Sequence, residues 1–211
     1  YDDMTIRIRE SMSGQTLAVL EGHQQPIVGT EFSPSGKQLI SVSIDGSVRR
    51  WDVSSGQEVS RFETSGAIRS VAFSPDGKRI VTCGDSTIVL WDATTGQELA
   101  RQPHNAQWVY SVSFSPDGSS IAAGAYDIVT LWDAGLTQTL WTADAKAGWI
   151  HDLKFSPDGA RLAAASGDRQ VRVWDVRSGT EMMALVGHGN EVMEVAFSPD
   201  GARLASVGLD R

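Results

Sequence analysis

The sequence predicts an all-β fold built as a repeat array. A Phe-Ser-Pro-Asp/Ser-Gly stretch occurs five times, at Phe32–Gly36, Phe73–Gly77, Phe114–Gly118, Phe155–Gly159 and Phe197–Gly201, with 41, 41, 41 and 42 residues between successive phenylalanines. Between these copies lie short apolar runs bounded by turn residues, and no segment reads as a long amphipathic helix. A unit recurring at a fixed distance, with its turn residues in the same places, buries its apolar face only against its neighbours.

The second copy serves as the template for the elements in order. Ile68, Val71 and Phe73 form a first strand; the step of three between Ile68 and Val71 breaks the alternation and predicts a β-bulge. Ser74-Pro75-Asp76-Gly77 is a turn, with proline fixing φ and glycine free to take a positive φ. Arg79-Ile80-Val81-Thr82 returns as the second strand. After the turn at Asp85-Ser86-Thr87, Ile88-Val89-Leu90-Trp91-Asp92 is the third strand. Thr94-Thr95-Gly96-Gln97 then turns the chain into Glu98-Leu99-Ala100, the fourth. Each unit is therefore a four-stranded antiparallel meander with short hairpin loops.

Trp51-Asp52, Trp132-Asp133 and Trp174-Asp175 end the corresponding third strands, each followed by a Gly-containing turn such as Ser54-Ser55-Gly56-Gln57-Glu58. Gly22-His23 and Gly187-His188 precede first strands. On these motifs the whole chain resembles the WD-repeat family of β-propellers. The resemblance implies a ring of four-stranded blades with first strands lining a central channel and fourth strands outermost. The units run at about 1–20 (a half blade), 21–63, 64–102, 103–143, 144–186 and 187–211 (a half blade).

Asp3-Met4-Thr5-Ile6-Arg7-Ile8-Arg9 matches a third strand, whereas Ala202-Arg203-Leu204-Ala205-Ser206 matches a second. The two ends are complementary halves of one blade, giving five blade-equivalents. Propellers of this family typically have seven blades. Three arrangements stay open: further repeats outside this sequence, a ring of five blades closing by itself, or self-association between chains. If each interface hides on the order of 500 Å² of apolar area, an uncovered face forgoes roughly 12 kcal/mol at about 25 cal/mol per Å².

A formal charge of −8 and a pI near 4.9 point away from nucleic acid and anionic membranes, which call for a dense basic patch. The single cysteine, Cys83, suits a reducing, cytoplasmic setting and reads as a small buried hydrophobe rather than a reactive thiol. No long apolar run and no leader-like start is visible, so the chain reads as soluble. The turn residues Asp76, Asp117, Asp158 and Asp200 fit caps of backbone N–H groups; one carboxylate per unit does not make a calcium site. No cofactor is expected.

His23, Ser41 and Asp45 have the parts of a hydrolase triad. The family resemblance implies a structural use instead, in which Asp45 accepts from His23, the hydroxyl of Ser41 bonds the other imidazole nitrogen, and the Trp51 indole donates to that hydroxyl. Only the first unit has the full set. The equivalent histidine positions hold Thr64, Asn105 (with His104 one place early) and Lys146, and Ala123 and Ala164 replace the hydroxyl. In the third unit the aspartate is displaced to Asp127 by Tyr126; the split unit has His188, Ser206 and Asp210 but Arg9 in place of tryptophan.

With no residue left for chemistry, function falls to surfaces. Two series flank the first-strand bulge and, by the resemblance, face the top of the ring: Pro26, Ala67, Trp108, Trp149, Glu191, and Val28, Arg69, Tyr110, His151, Met193. A third, before the turn aspartate, has Ile44, Gly84, Gly167 and Leu209, with Ala125 or Tyr126 in the irregular unit. Trp108, Tyr110, Trp149, His151 and Arg69 come from three consecutive units and should form one protein-binding patch; the alternative is ordinary packing over the channel mouth. Trp141, in an outer strand, reads as edge cover. The expected function is a non-enzymatic protein-interaction scaffold, often in this family a module of a larger protein. A peptide or small-ligand sensor at the channel mouth is the alternative, and a hydrolase based on Ser41 the rival class.

Overall fold

The computed structural model of the chain describes residues 4–64, 66–104 and 108–210. Among these residues there are eighteen strands and no helix. A hairpin of β1 (Ile6–Arg9) and β2 (Thr16–Leu20) is followed by two four-stranded antiparallel sheets. The first comprises β3 (Ile27–Phe32), β4 (Gln38–Ser43), β5 (Ser47–Asp52) and β6 (Glu58–Glu63); the second, β7 (Ile68–Phe73), β8 (Arg79–Gly84), β9 (Thr87–Asp92) and β10 (Glu98–Pro103). The third and fourth units share one run of strands: β11 (Val109–Phe114), β12 (Ser120–Asp133), β13 (Thr139–Phe155), β14 (Arg161–Ser166), β15 (Gln170–Asp175) and β16 (Glu181–Val186). A last hairpin pairs β17 (Val192–Phe197) with β18 (Leu204–Gly208).

The expected bulge is present in every first strand, with register shifts at Ile27/Gly29, Ile68/Ser70, Val109/Ser111, Ile150/Asp152 and Val192/Glu194. The second and third strands are apolar on both faces because each sheet is covered on both sides. Ile80, Val81, Ile88, Val89, Leu90 and Trp91 are all buried. Apolar clusters bridge neighbouring units: Val81 and Leu90 meet Val112, Phe114 and Ile121, while Ala122 and Val129 meet Ile150, Leu153 and Trp174. First strands pack on first strands in succession, β3 on β7, β7 on β11, β11 on β13 and β13 on β17. That succession is the hub of a propeller-type arrangement. The turns stack as well: Gly118 takes φ +70 and a Cβ there would meet the Pro75 ring of the preceding unit at 3.3 Å.

The third unit departs from the meander. The second and third strands are one continuous strand, β12, and β13 passes from the outer edge of this unit into the first strand of the next. The reason is local. Tyr126 occupies the slot where the other units have a turn aspartate, and it pairs in register with Trp149 of the next unit. Asp127 takes φ 58 and accepts the Gly148 N–H at 2.6 Å, so it holds the following unit's loop. In the first, second and last units the aspartate holds its own unit's loop instead, through Gln24, Ala67 and Gly189.

The terminal halves stay separate sheets, with β1 paired to β2 and β18 to β17. The first packs through Ile8 and Leu20 on Leu39 and Trp51; the second packs through Val192 and Val195 on Ala163 and Val173. Beyond the reach of the second hairpin, Met183 and Leu185 in β16 are 45% and 43% exposed, whereas Trp141 and Ala143, in the same places of the third unit, are half-buried.

Candidate functional site

The polar set of the first unit is assembled by strands β4 and β5, which supply Ser41, Ser47 and Trp51, and by two loops, which supply His23 and Asp45. His23 Nε2 lies 2.7 Å from Ser41 Oγ, which also accepts the Trp51 indole N–H at 2.8 Å. His23 Nδ1 lies 3.2 Å from Asp45 Oδ2 and 3.0 Å from Ser47 Oγ, a second hydroxyl not anticipated from the motif. Burial lowers the His23 pKa, against the pull of Asp45, so the ring is neutral near pH 7. Burial would raise the Asp45 pKa, but hydrogen bonds from Ser47, the Gln24 N–H and His23 outweigh it and hold it below the usual carboxylate range. Ser41 is fully buried and its oxygen is engaged on both sides, so no substrate reaches it. The arrangement satisfies each buried polar group by the next.

The other units show what the departures cost. The second keeps the indole bond, Trp91 Nε1 to Thr82 Oγ1 at 2.9 Å, while Thr64 turns to the carbonyls of Gly46 and Gly66. A cavity of about 70 Å³, lined by Thr64, Ile68, Thr82, Cys83, Gly84 and Asp85 among others, lies beside it. In the third unit, Ala123 offers no acceptor and the buried Trp132 Nε1 has no partner among the described residues. Asn105 lies outside the described residues, and His104 is buried with its N–H donating to the Ser86 carbonyl. In the fourth, Arg172 pairs with Asp168 at 2.6 Å. The split unit repeats the imidazole geometry, His188 lying 2.8 Å from both Ser206 and Asp210, without an indole donor.

On the side of the bulges, the five candidate binding residues come together. The Arg69 guanidinium sits 4.9 Å from the Trp108 ring centroid and 5.7 Å from that of Tyr110. Tyr110 meets Trp149 edge-on at 5.0 Å and His151 at 6.3 Å. His151 Nε2 in turn lies 3.0 Å from Glu191. The pairing is periodic: Arg69 with Trp108, Tyr110 with Trp149 and His151 with Glu191 are 39 or 40 positions apart, each joining a first-strand residue to the residue before the next unit's bulge. Tyr126, 48% exposed, stacks edge-on against Trp149 at 4.7 Å and enlarges the surface.

Side chains on the first strands also tie unit to unit, which the sequence reading missed. Ser70, Ser111 and Asp152 accept the N–H of Val112, Leu153 and Val195, and Glu31 accepts that of Phe73 at 2.7 Å. The available signal was a polar residue closing the bulge, Ser70, Ser111 and Asp152, with Glu31 two places further along in the first unit, where the closing residue is Gly29. Burial raises the Glu31 pKa from 4.5 to about 7, against the Phe73 N–H and the charge of Lys154.

The remaining leads are structural. Cys83 is buried, its thiol pushed up by desolvation and lying 3.3 Å from the Val109 carbonyl. The turn aspartates accept from the serine before proline and from a backbone N–H, as Asp76 does from Ser74 and Lys78. Trp141 donates to the Val176 carbonyl at 2.7 Å and lies against Gly179, where a Cβ would come within 2.8 Å of the indole. No cluster of metal-ligating side chains occurs among the described residues.

Comparison with known proteins returns the same period. A repeat model described as "WD domain, G-beta repeat" matches residues 14–52, 56–92, 96–133, 137–175 and 179–211. Each match begins near an outer strand, and the first four end at the next Trp-Asp position, one strand out of phase with the sheets. U3 small nucleolar RNA-associated protein 21 homolog of Schizosaccharomyces pombe is 31% identical over 81 residues, 38% of this chain and 9% of that protein. Periodic tryptophan protein 2 of Arabidopsis thaliana is 38% identical over 82 residues, again 38% of this chain and 9% of the relative. Eukaryotic translation initiation factor 3 subunit I of Candida albicans is 33% identical over 86 residues, 41% of this chain and 25% of the relative. The matched segments thus span a quarter or less of these relatives.

Proposed function

The chain belongs to the WD-repeat family, and we propose that it works as a non-catalytic interaction scaffold whose contact surface is the aromatic face formed by Arg69, Trp108, Tyr110, Trp149 and His151. WD-repeat proteins generally mediate protein–protein contacts, and the named relatives include a small nucleolar RNA-associated protein and a subunit of a translation initiation factor. The observation that supports this surface is its continuity: the Arg69 guanidinium of the second unit lies on the Trp108 and Tyr110 rings of the third, and Tyr110 touches the Trp149 and His151 rings of the fourth. Half-buried aromatics and arginine are the side chains that dominate interface energetics, since they remove large area from water at little entropic cost.

The proposal includes the division of the chain into the units at about 21–63, 64–102, 103–143 and 144–186 between two half blades, and a role as one module of a longer protein. The partner is a protein or peptide. Net charge of −8 weighs against direct nucleic-acid or membrane contact, although one relative is named for association with a small nucleolar RNA. A cytoplasmic location is also part of the proposal and rests on the lone buried thiol.

The test is capture of a partner by the wild-type chain and by the double variant Trp108→Ala, Trp149→Ala, with melting curves of both. Loss of capture at an unchanged melting midpoint supports the surface. Capture retained by a folded double variant moves the contact to the turn face or the outer edge.

A further inference from the structure

Resting on that reading of the aromatic face, we infer that the partner presents an acidic side chain, Asp or Glu beside an apolar residue, whose carboxylate pairs with Arg69. The other buried or half-buried guanidiniums have oxygen partners from within the chain: Arg49 pairs with Glu58, Arg172 with Asp168 and Glu181 and Arg161 with Asp158, while Arg79 donates to the carbonyls of Ala134 and Gly118 and Arg50 to that of Thr94. Arg69 is the exception on the face. It is half-buried, its Nε is shielded from water without a hydrogen-bond partner, and no carboxylate stands within ion-pair distance among the described residues.

The neighbours of Arg69 are the rings of Trp108 and Tyr110. A ring against the guanidinium contributes a cation–π attraction but takes none of its N–H donors, so the planar fork stays available for a bidentate acceptor. Along the same row, His151 already has a carboxylate partner from within the chain, Glu191 at 3.0 Å. The patch therefore offers one unmatched positive charge in a molecule of net charge −8.

One monovalent cation set among aromatic rings fits a monovalent carboxylate flanked by an apolar side chain. A phosphoryl group, carrying close to two negative charges, calls for more than one cationic donor. The carboxylate supplies the acceptor for the fork, and the adjacent apolar side chain covers Tyr110, Trp149 and Tyr126.

The test selects random dodecapeptides displayed on phage against the intact 1–211 chain. Selected sequences are then synthesised with the acid intact, replaced by its amide, or replaced by phosphoserine, and titrated by fluorescence anisotropy against wild type, Arg69→Gln, and Trp108→Ala with Trp149→Ala. The inference expects selected peptides to carry an Asp or Glu next to an apolar residue. It expects the amide peptide to bind roughly tenfold to a hundredfold more weakly, and Arg69→Gln, at an unchanged melting midpoint, to bind acid and amide alike. Equal binding of acid and amide by wild type, discrimination that survives in Arg69→Gln, or a preference for phosphoserine overturns the carboxylate inference while leaving the aromatic face standing, provided the double tryptophan variant still loses binding. Binding untouched by the double tryptophan variant, or no peptide selected at all, overturns both.

Discussion

Replacing Ser41 by alanine removes the atom on which the first unit's polar set converges. The Trp51 indole N–H loses its acceptor at 2.8 Å and His23 Nε2 loses its partner at 2.7 Å, both in a site closed to water. Leaving a buried donor or acceptor unpaired costs roughly 1–3 kcal/mol, so two such groups, partly relieved by relaxation, give a loss of about 2–4 kcal/mol. In a chain of this size each kcal/mol moves the melting midpoint by about 2–4 °C, for a predicted drop of roughly 5–15 °C. The reciprocal change is Ala123→Ser in the third unit, where the buried Trp132 Nε1 has no acceptor among the described residues. A new hydroxyl there contributes about 0.5–1.5 kcal/mol and raises the midpoint by a few degrees. Differential scanning calorimetry of the two single variants and wild type decides. A Ser41→Ala chain melting with wild type, or an Ala123→Ser chain melting well below it, refutes the hydrogen-bond reasoning.

Two further outcomes follow from the same interiors. Thr64→His places an imidazole next to the 70 Å³ cavity lined by Thr82 and Asp85, and should raise the melting midpoint; a fall would show that the second unit's shorter turn leaves no room for the ring. Glu31 binds its proton more tightly folded than unfolded, with its pKa moved from 4.5 to about 7, so its contribution is present below about pH 4.5 and lost as pH rises through 7. His23 has the opposite sign: its pKa is lowered, so stability is lost as pH falls below 6.5. Glu31→Gln keeps an acceptor for the Phe73 N–H and cannot ionise. Its midpoint should gain on wild type from pH 5 to about pH 7 and then level off, and a constant gap between the two curves across pH 5 to 7 would contradict the assignment.

Much of this molecule was legible before its coordinates. The recurring Phe-Ser-Pro-Asp/Ser-Gly turn acted as a ruler, so residues in equivalent places of successive units could be matched, and Ile68-to-Val71 spacing exposed the bulge. The bonds among His23, Ser41, Asp45 and Trp51 were implied by the family resemblance, and the geometry of the first unit shows them. The grouping of Arg69 with Trp108 and Tyr110 was legible too, because the repeat matched their places across units. What the sequence hid are backbone bonds between sheets: that of Ser111 with the Leu153 N–H depends on the twist and tilt of one sheet against the next, which no local pattern encodes. The continuous strands of the third unit were hidden for a different reason. Tyr126 was visible as an intruder in the turn, but its pairing with Trp149 draws on a residue of the neighbouring unit.

The central claim is that partners meet the face of the bulges and not the face of the Ser-Pro-Asp-Gly turns, which lie at the opposite ends of the first strands. The most direct measurement places a photo-crosslinking benzoylphenylalanine at Tyr126, exposed beside Trp149, and in a second chain at Asp158, in a turn on the other face. The account predicts a discrete partner adduct from position 126 that disappears when Trp108 and Trp149 are alanine, and none from position 158. Adducts from position 158 alone, or an adduct from 126 that survives loss of both tryptophans, would contradict it.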